Sequence, residues 1–123
     1  MKVLLCEPGK FAREVEIQDD LKTLQSIVGG TIQAVYPWPE PAAAICNDEG
    51  LLMGLPLNRR LTEDVIIAGT FLICGLGEEN FADLSPELME KFKSELRCPQ
   101  IFLQVGNRIV ALPYEPEKPE NLG

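Results

Sequence analysis

The chain has 123 residues, 46% of them apolar and 24% charged, the proportions of a globular domain. This length fits one domain that can bury a core without a disulfide or a metal. With 19 acidic against 11 basic residues the net charge is −8, and such a surface repels a phosphate backbone at long range. That counts against binding of duplex nucleic acid, yet leaves room for a small anionic ligand gripped by a few arginines or for a basic protein partner. Histidine is absent, which removes the commonest zinc ligand and the usual general base.

Lys2 to Cys6 reads as a strand. Its apolar run stops at Glu7-Pro8-Gly9, too soon for a secretory signal, and no stretch approaches the length of a membrane span. The expectation is a cytoplasmic protein with no membrane contact. Arg13 to Ile17 alternates as a second strand after a turn at Pro8-Gly9-Lys10. Asp19 and Asp20 offer N-caps to a short helix bearing Leu21, Leu24 and Val28, which Gly29-Gly30 stops. Thr31 to Tyr36 is β-rich and is broken by Pro37-Trp38-Pro39-Glu40-Pro41. Ala42 to Asn47 resumes as a strand, turns at Asp48-Glu49-Gly50 with Gly50 available for positive φ, and returns through Leu51-Leu52-Met53. Asn58 to Leu61 reads as a helical turn or loop.

The most apolar segment, Val65 to Cys74, reads as one central strand with Gly69 at a bulge or close approach. Ser85-Pro86-Glu87 opens a second helix with an N-cap, a proline at the first position and an acid for the dipole; Leu88, Phe92 and Leu96 share a face that should pack on that strand. Ile101 to Val105, a Gly106-Asn107 turn and Arg108 to Leu112 make a last hairpin, so residues 1–112 form the domain and 113–123 an extended or mobile tail. The sum is an α+β domain: a mostly antiparallel curved sheet or partial barrel, with two helices on one side.

Met1 to Leu5 with Glu7-Pro8-Gly9-Lys10, Val28-Gly29-Gly30-Thr31-Ile32, Cys46-Asn47-Asp48-Glu49-Gly50, Gly54-Leu55-Pro56-Leu57-Asn58-Arg59 and Ile67-Ala68-Gly69-Thr70-Phe71 follow one another in an order that resembles an uncharacterised domain-of-unknown-function family. Its members are small acidic proteins of phages and conjugative elements of Firmicutes. The resemblance implies an accessory role on a mobile element and supplies no activity and no catalytic residues.

Asn58-Arg59-Arg60 is the leading candidate site, because arginine's planar fork binds phosphate or carboxylate through paired hydrogen bonds and asparagine can read a ribose or base edge. Trp38, flanked by prolines, could stack on a base, and Thr70 could join the contacts. The competing reading of the arginines is a solvated corner paired with acids. Asp48-Glu49 and Glu78-Glu79 read as structural, since neighbours on a strand point to opposite faces. Cys6, Cys46, Cys74 and Cys98 stand alone in the sequence and read as reduced thiols; no cofactor and no metal is expected. Ser85 is accounted for as a cap, so no activated nucleophile is visible and an enzyme is not expected. Two functions remain. One is a binding protein that sequesters a nucleotide-type anion to blunt host defence, with contacts shared across a possible homo-oligomer. The other is an antagonist or adaptor that binds a defence or replication protein through an acidic surface.

Overall fold

The computed structural model of the chain describes residues 1–116. In chain order these form β1 (Lys2–Cys6), β2 (Arg13–Glu16), α1 (Leu21–Val28), β3 (Ile32–Val35), β4 (Ala42–Asn47), β5 (Leu57–Thr62), β6 (Val65–Ala68), β7 (Phe71–Leu76), β8 (Phe81–Ala82), α2 (Pro86–Glu95), β9 (Gln100–Val105) and β10 (Arg108–Pro113). The main sheet runs β2-β1-β7-β4-β3, with β8 added at the end of β7, and every pairing is antiparallel. Two further ribbons, β5-β6 and β9-β10, stand apart from it. The expected α+β class with an antiparallel sheet is therefore the architecture found, and since the sheet does not close on itself it is the curved sheet and not the partial barrel.

The apolar runs of β4 and β7 explain the layering. Every residue of β4 is buried, and β7 is buried from Phe71 to Gly75, so both faces of the sheet's centre must be covered. On one face Leu4, Ala44, Phe71 and Ile73 pack with Met89, Phe92 and Leu96 of the α2 region. On the other, Val3, Ala43, Ile45, Leu72 and Cys74 pack with Leu24 of α1. The helices thus cover opposite faces, not one side as the sequence suggested; strand parity sends alternate residues of each apolar run both ways, and each set needs a cover.

Both helix starts and the first helix end follow their local chemistry. Asp20 accepts the Thr23 N–H at 2.7 Å, Gly29 ends α1 at φ 79°, and Ser85 accepts the Leu88 N–H ahead of Pro86. Three other expectations change. The Val65–Cys74 run is two strands in two sheets, because Gly69 at φ 83° turns the chain between β6 and β7. Leu51-Leu52-Met53 is not a returning strand but an exposed turn, closed by Met53 N–H to Glu49 O and Leu55 N–H to Gly50 O. Gly50 does not take positive φ; a Cβ there would meet Ala68 O at 2.8 Å, so glycine is required by close approach. The last hairpin forms as read, with its turn at Gly106-Asn107. Of the tail, Pro113 belongs to β10, Tyr114 donates to Pro99 O and Glu115 pairs with Arg97; residues 117–123 lie outside the described residues.

Candidate functional site

The Asn58-Arg59-Arg60 segment is a strand, β5, and its first two side chains point inward. Arg59 is completely buried. Its Nε donates to Leu96 O at 3.0 Å, Nη1 to Asn58 Oδ1 at 2.6 Å and Glu7 O at 3.3 Å, and Nη2 to Lys10 O at 2.7 Å. Asn58, equally buried, donates from Nδ2 to Cys6 O at 2.9 Å and Gly69 O at 2.8 Å. One guanidinium therefore ties β5 to the β1–β2 loop and to the end of α2, using four of the five donors that an arginine carries. Burial pulls the Arg59 pKa below its ordinary value and pushes the adjoining Cys6 thiol up to about 12. Neither residue presents a polar atom to a ligand from outside, and the expected loop is corrected to a structural knot.

The other candidates do not converge. Arg60 is half-buried; its Nη1 donates to Glu63 O at 2.8 Å and its Nη2 to Ile109 O, while its backbone N–H donates to Gln100 Oε1 at 2.9 Å. It fastens the β9-β10 hairpin to β5. Trp38 stacks at a tilt on Phe92, 4.4 Å between ring centroids, and so seals the proline-rich segment onto α2. Thr70 is half-buried in the two-residue step between β6 and β7. Arg60 also lines a groove of about 830 Å³ with Arg108, Ile66, Ile109, Glu63 and Asp64.

The fold instead assembles a cleft from residues that the sequence offered only as caps and turns. Asp19 and Asp20 lead into α1; Glu78 and Glu79 sit in the β7–β8 turn, which closes through Gly77 N–H to Asn80 O at 2.8 Å. A Cβ at Gly77 would stand 2.9 Å from that same oxygen, so the turn is held by glycine. The end of β3 brings Tyr36. Between these elements lies a cleft of about 570 Å³, within the range of ligand sites, whose apolar lining is Leu21, Leu24, Ile32, Tyr36, Leu76 and Phe81. Its lining includes the four acidic residues Asp19, Asp20, Glu78 and Glu79, and among the described residues no basic one lines it. Asp20 is held below its ordinary pKa by the Thr23 N–H and hydroxyl, so it keeps its charge.

Among the described residues no three Asp, Glu, Cys or His side chains converge as a metal site. The acidic residues therefore line the cleft without making a point-ion site. A long cation fits that layout: its methylenes lie on the apolar lining and its charged head reaches the carboxylates, with the Tyr36 and Phe81 rings available to a cation's face. Nothing local pairs Asp19-Asp20 with Glu78-Glu79, which are some sixty positions apart in the sequence; only the strand order brings them together.

Residues 1–97 match the family DUF3846, described as a domain of unknown function, and the chain belongs to that family. The β9-β10 hairpin lies beyond the matched residues. No curated protein and no solved structure matches the chain significantly.

Proposed function

We propose that this DUF3846 member is a non-catalytic binding protein that recognises a basic segment of a protein partner through the cleft between α1 and the β7–β8 turn. The observation that carries the reading is a cleft lined by four acidic and several apolar residues, with no lining cation among the described residues to neutralise the acids. In the mobile-element setting that the sequence resemblance implies, the partner is a defence or replication protein that ordinarily holds nucleic acid, and the acidic cleft competes for its phosphate-binding residues. Absence of histidine removes the usual general base, and burial raises the pKa of the Cys6 and Cys74 thiols, so none of these groups supports a catalytic reading.

The test is calorimetry of the intact chain against a lysine- and arginine-rich peptide and its all-glutamine counterpart. The reading expects binding of the basic peptide alone, weakening as salt is raised. Glu78→Gln together with Glu79→Gln should cost about tenfold in affinity, since each exposed charge contact is modest. Equal binding of both peptides, or an unchanged constant in the double variant, refutes it.

A nucleotide-type anion retains one place, the groove holding Arg60 and Arg108. Two acids share that groove and the Arg60 guanidinium already donates to two backbone carbonyls, so the basic-partner reading has the better support. A melting-temperature screen with cyclic dinucleotides and NAD separates the two, because a saturating ligand raises the transition.

A further inference from the structure

The β9-β10 hairpin turns an apolar face to solvent. Its register sets Ile101 opposite Leu112 and Leu103 opposite Val110, and residues opposed in an antiparallel pair point the same way, as does Val105 two positions on. These five side chains are 37% to 61% exposed. The reverse face is partly supported: Phe102 and Ala111 are half-buried there, and Arg60 bonds the Gln100 side chain and the Ile109 carbonyl, although the Ile109 side chain itself is exposed. A two-stranded ribbon is marginal by itself, and a contiguous apolar patch on a monomer marks a contact surface.

We propose that this face docks on the same face of a second copy of the chain, about a two-fold axis, to form a reversible dimer. Charge selects that occupant. Each copy carries −8, so two copies repel one another over most approaches. From Leu96 to Tyr114, however, the chain has no Asp or Glu and its charges are Arg97 and Arg108. Two hairpins can therefore meet without burying a carboxylate. Arg108, opposite Val105, is the one charged group on this face and lies at its turn end, so two hairpins packed antiparallel about a two-fold axis keep the two guanidiniums at opposite ends of the five apolar side chains, and the isologous contact supplies its own match. Stacked ribbons would sit at the roughly 10 Å spacing of packed sheets. A face this small gives a weak, concentration-dependent dimer.

Sedimentation velocity of the full chain, from low micromolar to millimolar, tests the proposal. The expected result is a shift from monomer to dimer that tightens as salt is added, because salt screens repulsion between two copies of like charge. Leu103→Glu and Val110→Glu should each remain monomeric throughout. Leu52→Glu adds the same charge on an exposed turn outside the hairpin and should associate like the parent. Val110→Thr keeps the β-branched shape and should weaken association by about tenfold with an unchanged thermal transition, which guards against a merely unfolded ribbon. A parent chain monomeric at millimolar concentration overturns the proposal, as does loss of association in Leu52→Glu or weakening by salt.

Discussion

At the centre of the sheet, β7 is paired on both edges and covered on both faces, whereas β9 is paired on one edge and open on one face. Both segments are rich in branched and aromatic residues, and both are strands. The difference lies in what surrounds them: β7 is inserted between β1 and β4, which arrive from distant parts of the chain, while β9 has only β10, its own hairpin mate. Apolar content sets the tendency to be a strand; the number of layers set against it decides how much of its side-chain area contributes to stability.

Substitutions on the two sides should differ by several kcal/mol, and the largest effect belongs to the buried knot that backs the sheet. Arg59→Ala should lose about 3–5 kcal/mol, because it empties the space of a large, fully buried side chain and leaves the carbonyls of Glu7, Lys10 and Leu96 without their donor. Arg59→Lys should recover little of it, since an ammonium cannot span the fork. Chemical denaturation measures both. A loss under 1 kcal/mol would move β5 to the hairpin's side of the comparison.

Next comes the sheet's centre. Ile73→Ala, at a fully buried position packed between Leu4 and Ala44, should cost about 2–5 kcal/mol. On the hairpin, Leu103→Ala should change the stability of the dilute monomer by about 0.5 kcal/mol or less, because half of that side chain is already in water. Similar losses at Ile73 and Leu103 would erase the distinction between the two regions.

The smallest effect concerns the acid limit of α1. The folded pKa of Asp20 lies below its unfolded value because the Thr23 N–H donates to the carboxylate. The stabilisation is therefore complete above the unfolded carboxylate value and is lost as pH falls through the lower, folded one. An NMR titration should show the Thr23 amide shifting only in that acid range, with the hairpin amides unmoved. A Thr23 shift near neutrality would contradict the cap.

What could be read in the sequence was what local chemistry decides. Asp20, Gly29, Ser85 and Pro86 each bond or bend within a few residues of themselves, so the helix ends are visible in a short window. The Gly106-Asn107 turn is of the same kind. The knot was hidden because Arg59 meets carbonyls 37 to 52 positions away, and a backbone carbonyl leaves no mark in the sequence. Its neighbour Arg60 has the same residue type and a different fate, which strand parity sets only once β5 is known to be a strand, while the register shift between Leu57 and Arg59 lets Asn58 turn inward beside Arg59. The cleft was hidden for a related reason: Asp19-Asp20 and Glu78-Glu79 each have a sufficient local explanation as cap and turn, and their common purpose appears only when β3 and β7 lie in one sheet. The long apolar run concealed its own division, because Gly69 as a bulge and Gly69 as a corner between two sheets look identical in one dimension.

The reach of the Arg59 guanidinium also has a consequence for the order of folding. Its carbonyl partners sit in the β1–β2 loop and at the end of α2, so its bonds cannot close until a large part of the chain has been threaded around it. Such contacts form late, on the native side of the transition state, where loop-closure entropy has already been met. A residue of this kind governs how long the folded chain survives rather than how fast it arises: Arg59→Ala should accelerate unfolding and leave the refolding rate almost untouched, making this cation the fold's kinetic clasp.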